Sequence, residues 1–164
     1  MNMKTLDYLH MNENNATAVA NLLKQLLADF QVHYTNLRGM HWHIEGRGFF
    51  VLHEKFESMN YDMASKIYEV DERILMRGAT PENRFSEYLK VAKLPEVTGI
   101  NCSDCAVKHI LDSYKYLIGL EKEALKAAEE AHDVVTADML TGYIAEQEKM
   151  VWMLVAFSTN NCNK

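Results

Sequence analysis

Val19, Leu22, Leu23, Leu26, Leu27, Phe30, Tyr34 and Leu37 fall three and four residues apart, and that spacing lines one face of a helix from about Asn14 to Trp42. Gly46 and Gly48, in the string IEGRG, break it. A second amphipathic stretch runs from about Phe49 to Met76 on Leu52, Phe56, Met59, Met63, Ile67, Val70 and Ile74, and Gly78 stops it. A third starts near Ser103 or Asp104, either of which suits an N-cap, and reaches about Ala131 through Ile110, Tyr114, Leu117, Leu120 and Ala124. The fourth begins between Asp133 and Thr136 and ends around Phe157, through Met139, Leu140, Tyr143, Ile144, Val151 and Leu154. Between the second and third lies the stretch from Gly78 to Asn101, longer than helix–helix connections usually are, so it is expected to hold structure of its own. Thr80-Pro81-Glu82 reads as the capped start of a short helix, with FSEYLKVA continuing it. A connection of that length lets the second and third helices run parallel across a bundle. The expectation is one all-α domain over residues 1–164, with tails at about 1–13 and 158–164.

Composition supports this reading. Only 2 Pro and 7 Gly interrupt 164 residues, which suits long helices. The net charge of −6 argues against electrostatic attraction to nucleic acid or to an anionic membrane. No stretch approaches the ~18 apolar residues of a membrane span. The opening MNMKTLDYLHMNENN lacks the apolar core of a signal peptide, so the expected location is the cytoplasm. Three cysteines, Cys102, Cys105 and Cys162, are too few and too odd for a secreted disulfide framework.

The chemistry gathers around the first turn. His41, His43, His53, Glu57, Asp71 and Glu72 flank it or follow on the second helix. At about 100° per residue, positions 53, 64 and 71 fall nearly in line, with 57 and 68 slightly to one side and 72 at the margin. One imidazole and up to three carboxylates thus run along one stripe of an otherwise apolar helix. Imidazole with carboxylate suits iron, manganese or zinc and is not a soft thiolate site. Spacing alone leaves open the plainer reading of solvated polar faces and ordinary helix pairs.

The run LRGMHWHIEGRGFFVLHEKFESMNYDMASKIYEVDERIL resembles the signature of the Dps family, the mini-ferritins (DNA-binding protein from starved cells). Its His-Trp pair, glycine turn, Phe-x-x-x-His and closing Glu-Arg-Ile stand at the family spacing. EQEKMVWMLVAF is similar to the end of the family's last helix and HDVVTADML to its beginning, so the likeness covers about residues 15 to 158. It implies a ferritin-like four-helix bundle with a short helix in the long crossover between helices two and three. It also implies a homo-oligomer, a dodecameric shell that oxidises Fe(II), preferentially with hydrogen peroxide, and stores the ferric mineral. The resemblance places iron (Fe2+/Fe3+) at an intersubunit site, with His41, His53 and Glu57 from one subunit and residues 68 and 72 from its mate. Glu57 stands where the family usually has Asp. Tyr68 does so too, and a phenol of ordinary pKa about 10 does not replace a carboxylate's charge near pH 7. Asp71, on the His53 stripe, is the candidate to take over that lost charge. Trp42, beside His41, is a possible electron donor or a packing residue. His43 replaces what is commonly Asn and reads as a spare surface histidine. Asp133 and Asp138 match positions that line the family's iron-entry pore, with helix capping as the other reading of Asp133.

Three other readings are weighed against this one. A larger ferritin or a bacterioferritin would hold its di-iron site inside the bundle on two Glu-x-x-His motifs, and this chain has one match, Glu129 to His132. A DNA-binding shell would need a basic tail, whereas twelve copies of this chain would carry twelve times −6, or −72. Cys102-Ser-Asp-Cys105 is a Cys-x-x-Cys at an expected helix start without thioredoxin-like βαβ context, which reads as surface thiols or as a pair that peroxide could join.

Overall fold

The computed structural model describes residues 4–159, and Cys162 lies outside them. Within this range the chain forms α1 (Thr5–Leu9), α2 (Glu13–His43), α3 (Phe49–Met76), α4 (Phe85–Val91), α5 (Ser103–Glu130) and α6 (Val134–Ser158). The four long helices lie where the apolar period places them. Leu23, Leu26, Phe30, Phe56, Met63 and Ile110 are among the side chains fully removed from solvent at their common centre.

Contacts along the helices fix their directions. α2 packs on α3, α5 on α6, and α2 on α5. The order of bridges between α3 and α6 is antiparallel: Lys66 meets Glu146, Tyr143 meets Glu69, and Arg73 meets Thr136 and Asp133. Each hairpin loop reverses the chain, so α3 and α5 run parallel and the crossover spans the bundle's length, as the long connection predicts.

That crossover has little helix to satisfy its own backbone, and polar side chains of α2 do it instead. Buried Asp29 accepts from the Lys93 and Leu94 amides at 2.6 and 2.8 Å and from the Tyr116 hydroxyl at 3.0 Å. Asn36 donates to the Pro95 carbonyl at 2.9 Å and accepts from the Val97 amide at 3.1 Å. Gln25 reaches the Val91 carbonyl at 2.8 Å.

Three expectations need correction. The crossover helix starts at Phe85 and not at Pro81. The Glu82 carboxylate takes the amides of Asn83 and Arg84 and pairs with the Arg84 guanidinium, which holds this segment as a turn before the helix. The N-cap of α5 is Cys102, whose sulfur accepts the Cys105 amide at 3.1 Å, while the Ser103 hydroxyl donates to the Arg47 carbonyl at 2.6 Å. The first thirteen residues are not only tail. α1 forms there, and Leu6 packs so closely on Gly78 that a Cβ at that glycine would lie 3.2 Å from it.

Candidate metal centre

His41 and His53 grip each other across the α2–α3 turn. The His41 Nδ1 lies 2.9 Å from the His53 carbonyl oxygen, and the His53 Nδ1 lies 2.9 Å from the His41 carbonyl oxygen. A carbonyl only accepts, so each Nδ1 carries a proton, and in the neutral ring Nε2 then keeps its lone pair. This is the tautomer that a metal ligand needs, oriented by the usual kind of partner. The two rings stack at 3.8 Å between centroids, and Phe49 stacks on His53 at 5.0 Å. The turn makes this possible. Gly46 and Gly48 take φ values of 73° and 91°, and a Cβ at Gly48 would meet the Ser103 hydroxyl at 3.3 Å.

Glu57 lies one turn along α3 from His53, exposed and with neither hydrogen bond nor ion pair among the described residues. Tyr68 is 70% exposed, and Glu72 is exposed too. They lie roughly 22–28 Å along the helix from His53, at about 1.5 Å per residue. One subunit therefore does not bring the two groups together, and among the described residues no three His, Cys, Asp or Glu side chains converge on a point. The chain supplies two lone-pair imidazole nitrogens and a neighbouring free carboxylate, which is the donor chemistry of part of an iron site.

The same side of α3 exposes apolar surface. Phe50 is 85% exposed, Tyr61 69%, and Leu75 is exposed as well, all within about 40° of Glu57 and Tyr68 on the helical wheel. Trp42 is 66% exposed beside His41, and the Arg38 guanidinium lies 5.3 Å from its ring centroid. His43 is exposed. Asp71 is half-buried, and its carboxyl is raised above the ordinary range by desolvation and then by the neighbouring Glu72 charge.

The ferritin-like domain family matches residues 20–160. A relative from Porphyromonas gingivalis, named DNA protection during starvation protein, is 47% identical over 156 residues, which are 95% of this chain and 98% of its own. The chain belongs to the Dps group of the ferritin-like family. Another Dps relative, from Bacillus anthracis, is 35% identical over 85% of this chain and 95% of its own. The crystal structure of a Dps protein from Vibrio cholerae, described as a member of a broad superfamily of ferritin-like diiron-carboxylate proteins, matches with a TM-score of 0.89. Its identity is 40%, covering 91% of this chain and 94% of that one. A Dps structure from Bacillus brevis matches at 0.86 and 36% identity, covering 91% and 100%. The ferritin-like bundle expected from the sequence is thus the fold, and Dps membership supports an iron-storage role of the mini-ferritin kind. No helix among the described residues is long and apolar enough to cross a membrane.

Within this Dps subunit the two pore candidates differ in kind. Asp133 is 4% exposed and faces inward. Its carboxylate caps α6 at the Thr136 amide and pairs with Arg73 and Arg77, so the structure gives it the capping role and no free charge for a pore. Asp138 is exposed and lines a surface hollow with Glu129 and His132. The lone Glu129 to His132 match lies at the end of α5, where His132 takes a left-handed φ of 56°, and forms no intrabundle site.

The sequence reading did not single out the polar groups inside the bundle. The Lys66 ammonium lies between Asp62 at 2.7 Å and Glu146 at 2.6 Å. Glu121 accepts from the Gln147 amide, and His33 has no partner on either ring nitrogen among the described residues. Their helical spacing matches that of core residues, and this was the one available signal.

Proposed function

We propose that this chain is an iron-sequestering mini-ferritin of the cytoplasm that oxidises Fe(II), preferably with hydrogen peroxide, and stores the ferric mineral in a dodecameric shell. Removing both reactants together protects against oxidative stress. The observation that carries this reading is the reciprocal His41–His53 bonding, which commits both Nδ1 protons to the backbone and reserves both Nε2 lone pairs. A second subunit would pack on the exposed stripe of α3. Antiparallel pairing about a twofold near residue 62 would bring residues 68–72 of the mate opposite His53 and Glu57. Asp71 and Glu72 would then supply the negative charge that Tyr68 does not.

In this reading Fe(II) is the substrate. His41 and His53 hold it through Nε2, and Glu57 offsets the charge that the metal gains on oxidation. Phe49 excludes water from one face of His53. Trp42, beside His41 and on the Arg38 guanidinium, is placed to donate an electron to an over-oxidised site, and Asp138 belongs to the route of entering iron. A shell with weakened oxidation is the second reading, and exposed, uncharged Tyr68 is what favours it.

Anaerobic Fe(II) addition followed by peroxide or oxygen tests both. The proposal expects peroxide-driven mineral formation at least ten-fold faster than in a protein-free control. Changing both His41→Leu and His53→Leu should return the rate to that control, while the assembly still sizes near twelve chains of 18.9 kDa. A parent protein no faster than the control makes it a non-catalytic shell, and a mass near twenty-four chains rejects the dodecamer.

The shell's formal −72 should also keep it off DNA. Plasmid migration at low salt and neutral pH is expected to be unchanged, and a retarded band would overturn that part.

A further inference from the structure

Cys102 and Cys105 are not among the ligands of the proposed iron site, and the fold brings them together as a pair. Their sulfurs are joined, with the Cα atoms 5.3 Å apart, a separation at which the bond closes without backbone movement. Both residues are exposed. Cys102 is the N-cap of a 28-residue helix, and its sulfur accepts the Cys105 amide at 3.1 Å. That hydrogen bond and the positive end of the helix favour the thiolate at Cys102, whereas Cys105 sits inside the first turn. The flanking residues are pinned to the α2–α3 turn. The Glu45 amide donates to the Asn101 carbonyl at 3.0 Å, and the Ser103 hydroxyl donates to the Arg47 carbonyl. Cys102 is thus held in place next to Cys105, the other cysteine among the described residues. A structural metal is a poor use of the pair, because among the described residues no third ligand joins it.

We propose that Cys102 and Cys105 form a reversible dithiol/disulfide couple that reduces hydroperoxides, a second peroxide-consuming activity of the shell that is independent of iron. The Cys102 thiolate attacks one peroxide oxygen. The O–O bond breaks, an S–O bond forms, and the leaving hydroxide takes a proton to become water. The Cys105 sulfur then attacks the Cys102 sulfur. An S–S bond forms, the S–O bond breaks, and the departing hydroxide leaves as water with the Cys105 proton. In sum two thiols and one hydrogen peroxide give one disulfide and two waters, the sulfurs losing the two electrons that the peroxide oxygens gain. A small dithiol reductant restores the pair by thiol–disulfide exchange and is itself oxidised to its disulfide.

The test uses the full-length chain carrying Cys162→Ser, so that only this pair is counted. It is fully reduced, freed of iron with a chelator, and given one equivalent of hydrogen peroxide per subunit. The expected result is two thiols lost per peroxide consumed, at least ten-fold faster than free glutathione at the same pH. The mass should fall by the two hydrogens lost, with no crosslink between subunits, and dithiothreitol should reverse the change. Cys105→Ser should stop at a sulfenic acid on Cys102 that dimedone traps. Cys102→Ser should slow the reaction to the glutathione rate, with its melting temperature confirming that it folds. Consumption by the parent no faster than glutathione, intersubunit disulfides in place of the internal one, or a Cys102→Ser protein as fast as the parent would each overturn the proposal.

Discussion

Asp133→Ala is expected to cost about 3–5 kcal/mol of stability, the usual penalty for removing one partner from a buried charge cluster. The reason is the company that this carboxylate keeps. Oδ1 takes the Arg73 Nη2 at 2.5 Å and the Thr136 amide at 3.2 Å, while Oδ2 takes the Arg77 Nη1 at 2.7 Å and the Thr136 hydroxyl at 2.5 Å. The Arg73 Nε donates to that same hydroxyl at 2.7 Å. All three charged side chains are buried, so truncation leaves two guanidiniums together without the charge that compensates them. Burial alone would raise the Asp133 carboxyl, but the Thr136 bonds and the two arginines outweigh it and hold the group below its ordinary value. A depressed carboxyl stabilises the fold above the unfolded pKa and loses that contribution as pH falls through the folded one. Asp133→Ala should therefore flatten part of the acid limb of the stability curve as well as lower it. Adding Arg77→Met should recover some of the loss, because it removes one orphaned charge. Thermal unfolding of the variant within about 1 kcal/mol of the parent would show that the cluster is not desolvated as these contacts require.

The long helices were legible because apolar residues at a spacing of three and four can be buried only on one helical face, and the breaks at Gly46, Gly48 and Gly78 coincide with left-handed backbone. The proposal of His41, His53 and Glu57 as ligands rests on the family signature. The locking of each histidine onto the other's carbonyl was not legible, because it depends on how two helices meet at a turn. Buried polar residues were hidden for a related reason. Asp29, Asn36, Lys66 and Glu121 interrupt the apolar pattern as solvent-facing residues do; their helical spacing alone hints at burial, and their partners on the crossover or on neighbouring helices account for it. Asp133 was half-legible: Asp-Val-Val-Thr suggests a cap, but the two arginines that bury it come from the end of α3, sixty and fifty-six residues earlier. Misplacing the crossover helix by four residues has a local cause. Pro81 suits a first helical turn, yet Glu82 spends its carboxylate on the next two amides and on Arg84, and so delays the helix.

Glu121→Gln should stabilise the protein at pH 7.5 by ~2–4 kcal/mol and leave it nearly unchanged at pH 5, which is the signature of a buried carboxyl that stays protonated in the fold and ionises on unfolding. Glu121 is fully buried, and desolvation pushes it up to about 8 against the smaller opposing effects of the Gln147 hydrogen bond and the Lys66 charge. Geometry agrees: Gln147 donates to one Glu121 oxygen, while the second Glu121 oxygen and the Gln147 amide oxygen are both buried without partners. Two buried acceptors on a hydrogen-bonded pair lack a donor, and a protonated Glu121 supplies one, as in a cyclic acid–amide pair. The folded state then binds more protons than the unfolded one between the unfolded carboxyl value, about 4.5, and about 8. Its stability must therefore fall as pH rises through that window, by at most about 1.4 kcal/mol per pH unit. Glutamine at 121 donates the missing hydrogen bond permanently and removes the slope. His33 works in the opposite direction. Its burial, aided by the His109 charge, lowers it to about 3, so the unfolded state binds the extra proton below pH 6.5 and stability falls on acidification. The parent melting temperature should therefore peak near pH 5.5, midway between the two unfolded values of 4.5 and 6.5. Glu121→Gln should remove the alkaline limb alone, and His33→Leu should remove much of the acid limb, where no hydrogen bond of His33 is lost. Parallel stability curves for the parent and Glu121→Gln from pH 5 to 8 would mean that Glu121 is ionised in the fold and that the acid–amide pair does not form.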